Sequence, residues 1–305
     1  MPEKIILDCD PGHDDAVALM LAHGSPAIDL LAVTTVMGNQ TIEKVTRNAL
    51  AVARVIGLDS VPFARGSERP LVREVETAPD IHGESGLDGP VLPEPAIELD
   101  GRHAVDLIID TVMAHEPGTV TLVPTGALTN IALAVRREPR IVERVKQVVL
   151  MGGGVHIGNW SATSEFNIVI DPEAAHIVFT AGWPLTMVGL DVTMATAFTA
   201  ADFDDLARRD PHLGAFLREA GLFYLEFYYS RGRDGVGLHD PMTIIAAAHP
   251  ELFVTEELPL RVVETGEEQG RTQEVAPSEA AGIARVCVGG DMEAIKRQFS
   301  AVFGD

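Results

Sequence analysis

The organisation of the chain is clearest in a stretch near its start, which reads Ile5-Ile6-Leu7-Asp8-Cys9-Asp10-Pro11-Gly12-His13-Asp14-Asp15-Ala16. Residues 5–7 form an apolar run of the kind that fills a buried parallel strand. Pro11 and Gly12 then end that strand. Residues 16–21 are typical of the helix that follows. The stretch therefore predicts a strand, a turn and a helix, with aspartates concentrated on the turn.

Four aspartates lie on this one turn: Asp8, Asp10, Asp14 and Asp15. Crowded carboxylates repel one another, and without a partner some of them would be held protonated. A divalent cation relieves the repulsion, and a ligand set made only of oxygen favours calcium or magnesium. Helix capping explains one or two of these aspartates but not four. An EF-hand loop is excluded, because the twelfth position counted from Asp8 or from Asp10 is a leucine instead of the closing glutamate.

Composition limits the classes of function that the chain can have. Of its 305 residues 46% are hydrophobic, and 23 basic against 45 acidic residues give a net charge of −22. Nucleic-acid binding and attraction to an anionic membrane surface both need basic clusters, so neither is expected. Cys9 and Cys287 are too few and too far apart for a disulfide framework, and this predicts a reducing, cytoplasmic location. We expect no signal peptide and no membrane-spanning segment.

Strands and helices alternate through most of the sequence. Strands are predicted at 28–36, 61–64, 119–123, 145–150 and 185–189, and helices at 42–56, 104–115, 128–135 and 172–181. This alternation predicts an α/β fold with an open, mostly parallel, Rossmann-like sheet and helices on both faces. No linker or repeat interrupts residues 1–305, so we expect a single domain.

The remaining segments are less regular. Residues 66–101 and 155–170 are predicted to be irregular, and residues 200–231 to be helical with two or three breaks. Near the C-terminus we predict a small antiparallel addition and a last helix, at 258–263, 271–275, 284–288 and 292–303.

Polar or functional side chains follow the predicted strands in a regular way. The residues at the carboxyl ends of strands are Asp8, Asp10, Asn39, Thr125, Met151 and Asp191. In open α/β sheets ligands bind at that edge. Scattered structural polar residues would not all fall there, so the pattern predicts one ligand site at the carboxyl edge of the sheet.

Asp240 is the natural distant partner for the N-terminal aspartates. It follows the glycine-rich residues 232–238 and precedes Pro241, so a plain helix cap explains it equally well. His239 alone would be read as an ordinary structural or solvated histidine. Beside a metal carboxylate it becomes a candidate general acid, because histidine changes its charge near neutral pH.

Other candidate groups are open to two interpretations. His82 is either a surface histidine or a substrate contact. Asn159, Glu165 and Asn167 suit the vicinal hydroxyls of a sugar, or they are ordinary turn residues. The aromatic cluster at 223–229 is more typical of a core than of a site. The three glycines at 152–154 lack the Rossmann and Walker spacings, which excludes a cradle for nucleotide phosphates.

The sequence from Asp8 to Ala16 resembles the DxDPGxDDA signature of the inosine-uridine-preferring nucleoside hydrolases. The resemblance continues in the same order along the chain and is weakest after Leu258. Its further motifs are Gly38-Asn39, His82-Gly83-Glu84-Ser85-Gly86, Pro124-Thr125-Gly126, Met151-Gly152-Gly153, Glu165-Phe166-Asn167, Asp171-Pro172-Glu173-Ala174-Ala175, Gly189-Leu190-Asp191-Val192-Thr193 and His239-Asp240-Pro241.

The resemblance implies a calcium-dependent hydrolase of the N-glycosidic bond of ribonucleosides, which acts in salvage as a homo-oligomer, a tetramer or a dimer. The implied metal ligands are Asp10, Asp15, Thr125 through its carbonyl oxygen, and Asp240, with Asp8 supporting them from behind. The implied catalytic residues are Asp14 as general base and His239 at the leaving base. The implied substrate contacts are Asn39, Asn159, Glu165 and Asn167 on the ribose, Met151 near it, and His82 in the base pocket.

The chemistry of these groups fits that activity. Departure of the base leaves a ribosyl group with oxocarbenium character, which carboxylates and amide oxygens stabilise. Attack by water from the opposite face predicts inversion. Uridine and cytidine are favoured over inosine, because residues 82–93 are similar to those of pyrimidine-specific members. Trp160 and Trp183 are not placed to sandwich a purine. Tyr228 is a candidate for orienting the base.

Two rival functions remain open at this stage. A magnesium-dependent phosphatase of the haloacid dehalogenase class also begins with a strand that ends in Asp-x-Asp. It needs Thr or Val two residues after the second aspartate, where this chain has Gly12. A ribonucleoside-binding protein without turnover is the other rival, although every matched catalytic position is present.

Overall fold

The computed structural model describes residues 1–280 and 282–304. Its strands, in chain order, are β1 (Glu3–Cys9), β2 (Ile28–Thr35), β3 (Phe63–Arg65), β4 (Val120–Pro124), β5 (Val145–Met151), β6 (Leu185–Val188), β7 (Ala197–Phe198), β8 (Val236–Gly237), β9 (Phe253–Val262), β10 (Thr272–Glu274) and β11 (Gly282–Gly290). In this part of the chain, all of them except the small β7–β8 pair form one sheet, in the order β10-β9-β11-β6-β5-β4-β1-β2-β3.

The strands of the sheet are parallel except at one end, where β9 runs antiparallel to both β10 and β11. Strand β1 pairs in parallel with β2 on one side and with β4 on the other. The chain therefore builds the sheet outward in both directions from β1. The crevice at the carboxyl end of such a reversal is the usual ligand site of an open α/β sheet.

The helices are α1 (His13–Gly24), α2 (Ile42–Ile56), α3 (Pro79–His82), α4 (Ala104–Ala114), α5 (Thr129–Arg137), α6 (Ile141–Arg144), α7 (Phe166–Val169), α8 (Pro172–Thr180), α9 (Leu190–Thr193), α10 (Ala200–Arg209), α11 (Pro211–Ser230), α12 (Pro241–Ala248) and α13 (Met292–Ala301). A short 3₁₀ turn covers Pro250–Leu252. No helix among residues 1–280 and 282–304 is long and apolar enough to cross a membrane.

The two faces of the sheet carry separate hydrophobic cores. Alternation along β1 shows this directly: Ile5 and Leu7 pack with α1, α11 and α12, whereas Ile6 packs with α4, α5 and α8. Helix α1 is buried along almost its whole length, from His13 to Ala22. A buried helix next to β1 holds the aspartate turn rigidly between the two cores.

The prediction of an open, mostly parallel α/β sheet with a C-terminal antiparallel addition is confirmed, with local differences. Strand β9 begins earlier than predicted and is longer, and β11 also pairs in parallel with β6. The helical region 200–231 has one break, because Pro211 ends α10 while the Asp210 side chain accepts hydrogen bonds from the first amides of α11. The segments predicted to be irregular contain the short helices α3 and α7.

Candidate active site

A cavity of about 240 Å³ opens at the carboxyl edge of the sheet. All the predicted site residues line it except Asp8, Asp10 and Asp15. Asp15 lies next to the lining residues Asp14 and Asp240, and Asp10 accepts a hydrogen bond from the lining residue Asn39. The predicted residues in its wall are Asp14, Asn39, His82, Thr125, Met151, Asn159, Glu165, Asn167, Tyr228, His239 and Asp240. Asp191, also predicted to lie at this edge, is absent from the wall as well. Its carboxylate accepts hydrogen bonds from the backbone N–H groups of Val155 and His156.

Three carboxylates from the two ends of the chain meet at the floor of this cavity. Asp14, Asp15 and Asp240 each offer an oxygen atom, and these atoms lie within 4.8 Å of one another. Asp14 and Asp15 lie in the first turn of α1, and Asp240 caps α12. All three are buried, and no lysine or arginine of the described residues forms an ion pair with any of them.

Hydrogen bonds from the surrounding backbone fix the Asp15 carboxylate. It accepts from the N–H groups of Asp10 and Gly12, at 3.2 Å each. The Thr125 hydroxyl donates to it at 2.8 Å, and the Asn39 amide at 3.1 Å. This is a capped helix start that also joins the ends of β1, β2 and β4.

Asp8 and Asp10 each bury one oxygen atom without a hydrogen-bond partner among the described residues. The other oxygen of Asp8 accepts from Thr34 at 2.6 Å and from Asn130 at 2.8 Å. The other oxygen of Asp10 accepts from the Asn39 N–H at 2.6 Å. A buried acceptor without a partner is costly, so each of these oxygens is suited to bind a proton, a water or a cation.

Burial and mutual repulsion raise the pKa values of the whole group. Burial, and then repulsion by Asp15, raise the pKa of Asp14 to about 8. The pKa values of Asp10 and Asp240 are raised well above the ordinary carboxylate range for the same two reasons. The cluster therefore cannot ionise fully without added positive charge. Its composition of carboxylate and carbonyl oxygen fits a hard divalent cation.

A second group of residues lies on short helix α7 and the segment before it. The carboxylate of Glu165 caps α7, accepting from Asn167 N–H at 3.0 Å and from Gly153 N–H at 2.9 Å. Burial raises the pKa of Glu165 to about 7 although these hydrogen bonds oppose the shift. The Asn167 amide donates to the carbonyl oxygen of Thr125 at 2.7 Å. The Asn159 side chain accepts from the Phe166 N–H at 3.0 Å.

Two histidines and a tyrosine form the opposite part of the wall. His239 Nδ1 lies 2.7 Å from the Thr193 hydroxyl, and its Nε2 lies 3.2 Å from the hydroxyl of Tyr228. Burial lowers the pKa of His239 to about 4, with a smaller contribution from Arg233. His82 is buried as well, so the surface interpretation of this residue is wrong.

Sequence reasoning missed several residues of the wall. The aromatic cluster on α11 is typical of a core, with only Tyr228 predicted to contact the base, but Tyr224 and Phe227 line the cavity as well. Tyr224 is followed by aromatic residues three and four positions later, which places all three on one face of a helix. Arg231 and Arg233 follow soon after, and this combination of aromatic and basic residues could have indicated a site. Trp160 also lines the cavity, with half of its surface exposed.

Comparison with known proteins identifies the family of this chain. Residues 5–297 match the family model described as "Inosine-uridine preferring nucleoside hydrolase". A protein of that same name from Crithidia fasciculata is 54% identical over 268 residues, covering 87% of this chain and 85% of its own. The pyrimidine-specific ribonucleoside hydrolase RihA of Photobacterium profundum is 46% identical over 258 residues, covering 84% and 83%.

A solved structure gives the same result. The plant nucleoside hydrolase PpNRh1 superimposes with a TM-score of 0.93 at 33% identity, covering 99% of both chains. The resemblance drawn from the sequence motifs is thereby confirmed: this chain belongs to the inosine-uridine preferring nucleoside hydrolase family.

Proposed function

We propose that this chain hydrolyses the N-glycosidic bond of ribonucleosides, releasing free base and ribose for salvage, and that it does so with a bound calcium ion. The observation that carries the proposal is the meeting of Asp14, Asp15 and Asp240 at the floor of a cavity. Hydroxyl-binding side chains line one part of its wall and histidines line another.

Asp10, Asp15, Asp240 and the carbonyl oxygen of Thr125 would hold the cation. The unpaired oxygen of Asp10 and the raised pKa values of the aspartates support this set. When bound, a divalent cation supplies positive charge that makes a nearby water a better nucleophile. Asp8 lies under this set, and its hydrogen bonds to Thr34 and Asn130 hold the end of β1 in place.

Asp14 is the proposed general base. Its oxygen lies within reach of the metal-binding carboxylates, and its side chain lines the cavity. An ionised Asp14 accepts the proton of the attacking water and orients that water toward the anomeric carbon. Attack from the face opposite the base gives inversion.

Asn39, Asn159, Glu165 and Asn167 are the proposed contacts to the ribose, with Met151 packed near them. Their side-chain polar atoms form hydrogen bonds to the backbone or to neighbouring side chains, so they are oriented before substrate arrives. Glu165, when ionised, adds negative charge next to a ribosyl group that becomes positive as the base departs.

His239, Tyr228 and His82 are the proposed groups at the leaving base. His239 is uncharged in the free protein at neutral pH, because its burial lowers its pKa. It therefore takes part as a neutral ring that Tyr228 and Thr193 orient through its two nitrogens. A hydrogen bond from this network to the departing base reduces the negative charge that the base carries.

Uridine is the proposed preferred substrate, followed by cytidine and then inosine. The names of two of the related proteins point in this direction, since one acts preferentially on inosine and uridine and the other on pyrimidine nucleosides. Uridine is common to both descriptions. Residues 82–93, which resemble those of pyrimidine-specific members, favour cytidine over inosine.

A panel of uridine, cytidine, inosine, adenosine and guanosine tests the function, with release of ribose as the readout. Chelation followed by titration with calcium or magnesium identifies the cation. Uridine binding in calorimetry without release of uracil would support a binding protein instead of an enzyme. The phosphatase alternative has lost its support, because the family match covers residues 5–297.

Two further expectations follow from the resemblance alone. We propose a cytoplasmic homo-oligomer, either a tetramer or a dimer. Light scattering of the purified protein distinguishes these two from a monomer of 32.6 kDa.

A further inference from the structure

One ring nitrogen of His82 is already engaged when its side chain reaches the cavity. Nδ1 of His82 lies 3.0 Å from Nδ1 of His13. Its other nitrogen, Nε2, has no hydrogen-bond partner among the described residues, and the ring lines the cavity. Nε2 is therefore the atom available to a bound base. Whether it donates or accepts a hydrogen bond depends on which nitrogen of the ring carries the proton.

The proton on His13 is placed by a backbone carbonyl. Nε2 of His13 lies 2.8 Å from the carbonyl oxygen of Asp88. A carbonyl oxygen only accepts hydrogen bonds, so Nε2 of His13 must carry a hydrogen atom. An uncharged imidazole has a single N–H group, which leaves Nδ1 of His13 as an acceptor. The hydrogen atom between the two Nδ1 atoms then belongs to His82, because without it two lone pairs would face each other at 3.0 Å. The backbone N–H of His13 also points at Nδ1 of His82, but over the longer distance of 3.3 Å.

The surroundings of His13 disfavour a charged ring. The side chain is 1% exposed. The ring planes of His82 and Phe223 lie within 21° and 8° of the plane of His13, with centroid distances of 5.2 Å. Among the described residues no carboxylate accepts a hydrogen bond from it. It is also the first residue of α1, where the helix dipole opposes positive charge. Burial of a charged ring is costly, and this cost exceeds the opposing effect of the nearby Asp88 carboxylate, so the ring is neutral.

The carbonyl group that orients His13 is itself held in place. The Asp88 carboxylate accepts hydrogen bonds from the N–H groups of Glu84 and Ser85, at 3.0 and 3.1 Å. Its own N–H donates to the carbonyl oxygen of His82 at 3.1 Å. Residues 82–88 therefore form a compact loop held by hydrogen bonds within the loop itself. Gly12 leaves the space for this approach, since a Cβ atom there would lie 2.7 Å from Nδ1 of His82.

We propose that the Asp88 carbonyl and the His13 ring keep the proton of His82 on Nδ1, so that Nε2 of His82 accepts a hydrogen bond from an N–H group of the leaving base. His13 is then a positioning residue that sets base specificity, and the ring N–H of uracil is the kind of group that His82 recognises. The inference rests on the proposed function for the identity of the ligand, but not for the position of the proton.

A competing donor makes the proposal testable by mutation. The backbone N–H of His13 lies 3.3 Å from Nδ1 of His82. In the variant His13→Phe the stacked ring remains, but its acceptor nitrogen is lost. The backbone N–H then becomes the partner of Nδ1, and the proton of His82 moves to Nε2. The variant should therefore convert His82 from an acceptor to a donor toward the base.

Neutron diffraction from deuterated crystals of the calcium-loaded wild-type protein locates the proton directly. The expected map shows deuterium on Nδ1 of His82 and on Nε2 of His13, with Nε2 of His82 bare. Deuterium on Nε2 of His82, alone or together with Nδ1, would overturn the proposal. This readout does not depend on whether His13→Phe folds or on whether any nucleoside is cleaved.

Kinetics with uridine and 3-methyluridine test the consequence for specificity. Wild type should prefer uridine in kcat/KM by roughly 5- to 100-fold, the cost of leaving a buried acceptor unpaired. His13→Phe should bring that ratio close to one, whereas His23→Phe, on an exposed residue of the same helix, should preserve it. A ratio unchanged in His13→Phe overturns the specificity role. If wild type cleaves no nucleoside at all, the proposed function fails while the neutron map still decides the proton position.

Discussion

Replacing Asp14 with asparagine should have two separate effects: it should make stability less dependent on pH, and it should remove the proposed general base. Asp14 is 5% exposed, and burial together with Asp15 raises its pKa from 3.8 to about 8. A carboxyl group whose pKa is higher in the folded than in the unfolded state costs nothing below pH 3.8. Above that pH the unfolded state loses the proton first, so stability falls with rising pH until about pH 8.

The size of this effect follows from the same pKa values. A difference of one proton between the two states changes stability by about 1.4 kcal/mol per pH unit. The window from pH 3.8 to about 8 therefore corresponds to an upper limit on the order of 6 kcal/mol for the cation-free protein. At roughly 2 °C per kcal/mol for a chain of this size, the melting temperature should fall by on the order of 10 °C.

The assay is thermal unfolding in chelator at pH 4 and pH 8. The melting temperature of wild type should be lower at pH 8 than at pH 4. The corresponding fall in Asp14→Asn should be clearly smaller. Asp29→Asn, which makes the same change at an exposed position of β2, is the matched control and should behave as wild type. Equal pH dependence in wild type and Asp14→Asn would refute the argument from repulsion.

The same variant tests catalysis when calcium is present. Loss of a general base costs about 10²–10⁴-fold in turnover. The variant should still bind calcium, because all of the proposed calcium ligands remain. Turnover within tenfold of wild type would remove Asp14 from the role of base. Loss of calcium binding would instead assign it to the ligand set.

Three further predictions concern the leaving base, the turn and the cation. His239→Ala should reduce kcat for uridine far more than for p-nitrophenyl riboside, whose leaving group needs no proton; equal losses in a steady-state comparison would contradict a leaving-group role. Gly12→Ala should destabilise the protein by on the order of 1–3 kcal/mol, because the added Cβ would lie 2.7 Å from His82 and 2.8 Å from Asn39. A denaturant midpoint like that of wild type would show instead that the turn can shift to make room for the methyl group. Chelation should abolish ribose release, and calcium should restore it and raise the melting temperature, because binding adds RT ln(1 + [L]/Kd) to the free energy of unfolding, about 2.7 kcal/mol at a hundredfold excess over Kd; activity that survives exhaustive chelation would contradict a resident cation.

The sequence predicted the ligand edge well because local rules suffice there. An apolar strand followed by Pro11 and Gly12 leaves little choice for the turn, and the parallel arrangement brings Asn39 and Thr125 to the same edge as Asp10. The far wall of the cavity could not be predicted in this way. Tyr224 and Tyr228 belong to a long helix whose apolar face serves the core and the cavity at once. Helical periodicity identifies the apolar face, but it does not show which residues of that face line the cavity and which pack in the core.

His82 shows a second limit of sequence reasoning. It lies in a segment of low regularity, and nothing in its neighbours predicts burial. Its position depends on contacts with His13 and with Asp88, of which one is 69 residues away. A hydrogen bond between two histidines has no sequence signature, so the proton position on His82 depends on contacts that form only in the folded chain.

Two helix N-termini face the carboxylate cluster, and their strength decides whether a cation is needed. Asp14 and Asp15 lie in the first turn of α1, Asp240 caps α12, and the two helices pack against each other. Each helix dipole stabilises a nearby negative charge by about 0.3–1 kcal/mol, and by ~2 kcal/mol in a buried setting. The cost of ionising Asp14 alone is on the order of 6 kcal/mol, so the dipoles offset only part of it.

The rest of the compensation must come from protons or from a metal ion, and the two have opposite consequences for catalysis. A protonated Asp14 cannot accept the proton of water, and with a pKa of about 8 it is largely protonated at neutral pH in the cation-free protein. A divalent charge among Asp15, Asp240 and Asp14 favours the ionised form and lowers that pKa. A bound cation would therefore also increase the ionised fraction of Asp14, the proposed base.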